Sequence, residues 1–142
     1  MNRDIVIKWI DLAYERLSAG EEVYIHTETT ADQKTGLKAI RKELDILSKV
    51  DPIRAIELTC YPTFKDHRNW LVIKKIPGDP TVGFIKRQDG ASERVEIEHS
   101  ERRRRLALMI DDGLLLKEIL DLEDDLNEED LAFISNRMEG RV

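Results

Sequence analysis

Cys60, Asp66 and His67 are the residues whose types match a nucleophile, an orienting carboxylate and a base. They lie in and beside Tyr61-Pro62-Thr63-Phe64-Lys65-Asp66-His67-Arg68-Asn69, the densest local mixture of proton-transfer and anion-binding side chains in the chain. A small hydrolase built on this trio is one reading. Such a pair is defined by geometry and by a third, orienting group, and neither follows from spacing along a chain. The competing reading is a polar connection between two strands, with Cys60 acting as a small strand hydrophobe.

Metal and phosphate chemistry finds less material. His26, His67 and His99 form no H-x-x-x-H pair and the lone cysteine no C-x-x-C, so neither a metal nor another cofactor is expected. No strand segment offers an acidic-x-Lys pattern, and a metal-dependent nuclease would need carboxylates from distant segments. No two of the seven glycines lie within three positions of each other, which excludes G-x-G-x-x-G and the P-loop.

Basic residues are more prominent. Arg102-Arg103-Arg104-Arg105 is the sharpest charge run, and at the start of a helix it opposes the macrodipole. It therefore points to phosphates, to a partner, or to carboxylates of this chain, with Glu98 and Glu101 the nearest in sequence. Lys65, Arg68, Lys74, Lys75, Lys86, Arg87 and Arg94, interspersed with Tyr61, Phe64 and Phe84, have the composition of a single-strand nucleic-acid platform. A platform requires one shared face, whereas Lys74 and Lys75 alternate across a strand.

The charge is segregated. Residues 1–105 carry +2 and residues 106–142 carry −8 of the total −6. The acidic end is also rich in leucine, so it reads as a folded or docking element, with Leu115, Ile119 and Leu122 its candidate contact residues. Those leucines occupy more than one helical stripe, which means either burial on two sides or a stripe that meets a partner or a second copy.

These residues need elements to position them. Val6, Trp9, Ile10, Ala13 and Leu17 predict a helix over 4–18, capped by Asn2 or Asp4 and ended by Gly20. Alternation predicts a strand over 22–27. Thr30-Ala31-Asp32-Gln33 has capping-box spacing, and Leu37, Ile40, Leu44 and Leu47 carry that helix to Asp51-Pro52. Further strands are expected over 54–61, 70–76, 81–87 and 93–99, with Gln88-Asp89-Gly90-Ala91 a tight hairpin turn. Ser100 caps a helix through Leu106, Met109 and Ile110, broken near Gly113, and Asn127 opens a last one.

The expected fold class is α+β: a small, mostly antiparallel sheet of four to five strands, helices packed on it, and a helical acidic C-terminus. Residues 1–105 form the helix-and-sheet body and residues 106–142 the acidic element of the same domain. With one cysteine, no signal-peptide core at the start and no run near the roughly 20 apolar residues of a membrane span, a cytoplasmic protein without a membrane partner is expected.

The leading functional expectation is a non-enzymatic accessory protein docking on a larger protein machine that acts on nucleic acid, in the manner of small phage or mobile-element regulators. Arg102, Arg103, Arg104, Arg105, Lys74, Lys86 and Arg87, with Leu115, Ile119 and Leu122, are its candidate binding residues. Direct nucleic-acid binding by the basic sheet face is the alternative, and homodimerisation through the C-terminal helix a further one.

Overall fold

A computed structural model describes residues 1–97, 100–123 and 126–140, without the side chains of Ser100 and Glu101. The chain is α+β. Its elements run α1 (Arg3–Arg16), β1 (Glu22–Thr27), α2 (Thr30–Val50), α3 (Pro52–Ile56), β2 (Leu58–Thr63), β3 (Asn69–Lys75), β4 (Val82–Lys86), β5 (Ser92–Glu96), α4 (Ser100–Asp111), α5 (Leu116–Leu122) and α6 (Glu128–Glu139).

The helix starts follow local hydrogen-bonding chemistry. Asn2 caps α1 by accepting the N–H of Ile5, and Asn127 caps α6 in a reciprocal box with Asp130. At α2 the cap lies one residue earlier than expected, because Thr29 accepts from the Asp32 N–H. Gln33 is thereby released from any capping role. It is fully buried, and its Nε2 donates to the carbonyls of Thr63 and Trp70, tying α2 to the ends of two strands.

The expected strand over 54–61 starts later. Pro52 at the first turn nucleates α3, and the strand begins at Leu58. The five strands do not make one sheet. β3 is the centre of a three-stranded antiparallel sheet of order β1-β3-β2, while β4 and β5 form a separate antiparallel hairpin. The reason is geometric: with β1 and β2 on either side, β3 has no free edge for β4, and Pro77 and Pro80 between them supply no N–H.

Strand alternation splits the interior in two. Ile25, Leu58, Cys60, Leu71 and Ile73 face α1 and α2, packing on Val6, Ile10, Ala13, Leu37, Ile40 and Leu44. Tyr61 and Val72 face the opposite way, onto Leu106, Met109, Ile110, Leu114, Ile119, Leu122 and Ile134 of the C-terminal helices. Both sheet faces are thus covered. The acidic segment supplies most of the second core, and α4 runs without a break through the change of charge sign near Leu106.

Candidate protein-binding groove

Each predicted site is placed by this arrangement. Cys60 points into the first core, and burial pushes its thiol up to about 12, so no thiolate nucleophile is available there. Asp66 and His67 have φ of 57° and 60°, and the Arg68 N–H donates to the Lys65 carbonyl at 3.1 Å. This is the pattern of a type I′ turn joining β2 to β3, in which Asp is tolerated at positive φ. Both residues are exposed at the tip. The hydrolase trio is therefore a core thiol beside a turn. Among the described residues, no group of three or more His, Cys, Asp and Glu is placed to hold a metal ion.

The arginine run is absorbed by the fold. Arg102 Nη1 lies 2.9 Å from the buried Asp130, Arg103 Nη2 lies 3.3 Å from Glu129, and Arg105 Nε lies 3.8 Å from Glu123. Arg104 pairs with Asp79, and its burial lowers the guanidinium pKa. Three of the four partners belong to the acidic segment, Asp130 and Glu129 on α6 and Glu123 at the end of α5, so the opposite charges close on each other within the fold. The Glu98 and Glu101 side chains expected to do this lie outside the described ones, as does His99.

The other basic candidates do not assemble. Lys74 lies on the sheet face beneath the C-terminal helices, whereas Lys75 turns to the α1 side and donates to the Tyr14 carbonyl. Lys86 and Arg87 sit at the tip of the separate hairpin, where Arg87 pairs with Glu93. Tyr61 is buried, and its hydroxyl donates to Glu22 at 2.7 Å, which together with burial raises its pKa. The C-terminal helices cover Tyr61 and Val72, so Tyr61 and the basic candidates share no open face. Ile119 and Leu122 are likewise core residues and cannot form a docking stripe; Leu115 alone of the three is exposed, at 62%.

Sequence reasoning overlooked the open edge of β1. Among the described residues no strand pairs with β1 on the side away from β3. Beside its C-terminal half lies a groove of about 530 Å³ between the start of α1 and the start of α2. Met1, Ile5, Trp9 and Ile25 supply its apolar lining, and Glu28 and Asp32 are its charged residues. His26 stands at the same edge with its ring 5.1 Å from that of Trp70. Ile5 is 43% exposed and Met1 similarly so. A legible signal existed, since Ile5 and Ile7 are apolar residues off the Val6-Trp9-Ile10-Ala13 stripe.

Such a site can add an extended segment as a fourth strand, with backbone hydrogen bonds to β1 and an apolar side chain in the groove. Its acidic residues suit a segment carrying Lys or Arg. Comparison of the chain with protein-family profiles, curated proteins and solved structures finds no match. No described helix is long and apolar enough to cross a membrane.

Proposed function

We propose that this chain is a non-enzymatic accessory protein that docks a partner protein by taking up an extended, basic and apolar segment along β1. The observation that carries the reading is the coincidence of an unpaired strand edge with an apolar groove whose charged residues are both acidic. A long exposed edge invites pairing with another chain, and here no described bulge, proline or lysine within β1 blocks it. The larger-machine part of the reading rests on this surface rather than on the arginines. The charge clusters that pointed to nucleic-acid machinery are occupied internally, so that part loses its support, and direct nucleic-acid binding by the sheet face is not favoured.

The test is selection of binders from a library of extended peptides, followed by amide hydrogen exchange on the complex. Peptides with a basic residue flanking an aliphatic one are expected, with new protection at Glu22–Thr27. Ile5→Glu should weaken them at least tenfold, about 1.4 kcal/mol, the low end of what burying an aliphatic side chain contributes. Protection confined to other elements, or affinity indifferent to Ile5→Glu, refutes the proposal.

A further inference from the structure

The backbone hydrogen bonds of the sheet fix which groups β1 offers at its open edge. The Lys75 N–H donates to the Glu21 carbonyl at 3.0 Å, and the Ile76 N–H donates to the Glu57 carbonyl at 2.8 Å. Antiparallel ladders alternate, so in a register that pairs Val23 with Ile73, Ile25 with Leu71 and Thr27 with Asn69, these odd residues of β1 bond to β3. Glu22, Tyr24 and His26 therefore turn their N–H and C=O groups away from β3, to the side where no described strand lies. Their side chains point to the face opposite the groove: Tyr24 packs on the second core, whereas Ile25 belongs to the first. On that face His26 and Trp70 are directly opposite in register with their rings 5.1 Å apart, and Tyr24 meets Trp70 edge-on at 6.1 Å. His26 is exposed and Trp70 half-buried, so this row of rings ends open at the sheet edge.

A segment added to this edge places successive side chains on alternate faces. The residue opposite His26 extends the Trp70–His26 row and meets the rings, while its neighbours, opposite Ile25 and Thr27, point into the groove. Beside Ile25 the groove is lined by Ile5 and Trp9, which suits an aliphatic side chain. Beyond Thr27 the chain continues into Glu28, with Asp32 in the first turn of α2, which suits Lys or Arg. At the ring pair a neutral aromatic is favoured over a second cation, because Lys65 already lies over the Tyr24 ring, its Nζ 5.0 Å from the centroid. Antiparallel pairing is the slightly stronger arrangement per residue, and an antiparallel segment meets Thr27 before Ile25. We propose that the ligand of the β1 edge is a partner-protein strand carrying a basic, an aromatic and an aliphatic residue in that N-to-C order. Glu28 and Asp32 read the first, the His26–Trp70 ring pair the second, and Ile5 with Trp9 the third. This inference rests on the docking reading and adds to it a direction and a second recognition face.

The test titrates the full chain, by calorimetry, with heptapeptides whose flanking positions are threonine and whose central triplet is Lys-Tyr-Val, the reversed Val-Tyr-Lys, or Lys-Ala-Val. The first should bind about tenfold more tightly than the reversed peptide and several-fold more tightly than the alanine peptide. His26→Ala, at an exposed position, should erase the preference for tyrosine and leave the alanine peptide's affinity unchanged, a selectivity that a folding defect does not produce. Glu28→Gln should narrow the preference for the forward order. In the complex, amide exchange should slow at Tyr24 and His26 but not at Ile25, whose N–H is already bonded to β3. Equal affinity for forward and reversed peptides, or a His26→Ala loss equal for the tyrosine and alanine peptides, overturns the triplet, and protection at Tyr24 and His26 in that case leaves the docking reading standing. Binding without that protection overturns both. Binding by none of the peptides overturns the triplet, and the library selection then decides the docking reading.

Discussion

Replacing Arg102 by Met should destabilise the protein more than replacing its partner Asp130 by Asn, although both break the same ion pair. Asp130 is fully buried and its Oδ2 accepts from Arg102 Nη1 at 2.9 Å and from the Asn127 N–H at 3.1 Å. Arg102 is 27% exposed and can turn to water. Arg102→Met therefore strands a buried carboxylate with only a backbone donor, a loss of about 3 kcal/mol, the low end for an uncompensated buried charge. Asp130→Asn keeps an acceptor for the Asn127 N–H and leaves a cation that water can solvate, a loss of about 1–2 kcal/mol. In the double variant no charge is stranded, so the total should stay near about 2 kcal/mol rather than the sum, a coupling of roughly 2–3 kcal/mol. Urea unfolding followed by circular dichroism measures all three, and at about 3 °C per kcal/mol Arg102→Met should melt some 9 °C lower. The reasoning fails if Arg102→Met costs no more than Asp130→Asn, or if the two losses simply add.

Burial raises the pKa of Asp112 above its ordinary value, only partly opposed by the Lys65 ammonium. The folded state then binds more protons than the unfolded state just above the usual carboxylate pKa, so this group subtracts stability as pH rises through that range. Asp112→Asn should consequently stabilise the protein at pH 7 and leave it unchanged below about pH 3.5, as urea midpoints at the two pH values would show. Gly36→Ala should destabilise by about 1–3 kcal/mol despite alanine's helix preference of about 1 kcal/mol, because the new Cβ would meet Leu71 Cδ1 at 2.6 Å in a sealed core. An unchanged or raised urea midpoint would show that Leu71 can move aside. Cys60, with its thiol at about 12, should resist alkylation through pH 9 in the native protein and react at once in denaturant. Equal rates in the two states would place the thiol outside the core.

Several elements were legible because their signals are local. The alternation of Glu22–Thr27, the 3.6-residue stripe of α2, the Asp89-Gly90 turn with Gly90 at φ 90° and the Asn127 cap all act within a few residues of chain. The split of five strands into two sheets was not legible, since it depends on which neighbours flank β3. The Asp66-His67 dipeptide shows the same limit from the other side: its residue types suggest proton transfer, yet its backbone conformation makes it a turn.

Charge and leucine content by themselves established that residues 106–142 are acidic and folded, and that a run of four arginines precedes them. Only the tertiary structure decided where those charges go. Asp130 and Glu129 reach Arg102 and Arg103 because α4 and α6 pack together, and Glu123 reaches Arg105 from the end of α5, contacts between residues distant along the chain that no local pattern encodes. The same packing buries Ile119 and Leu122 and covers Tyr61 and Val72 of the sheet, while β1 keeps an edge with no partner strand among the described residues. Composition fixes how much charge and apolar surface a chain carries; burial, which depends on every other element, decides which of it faces outward.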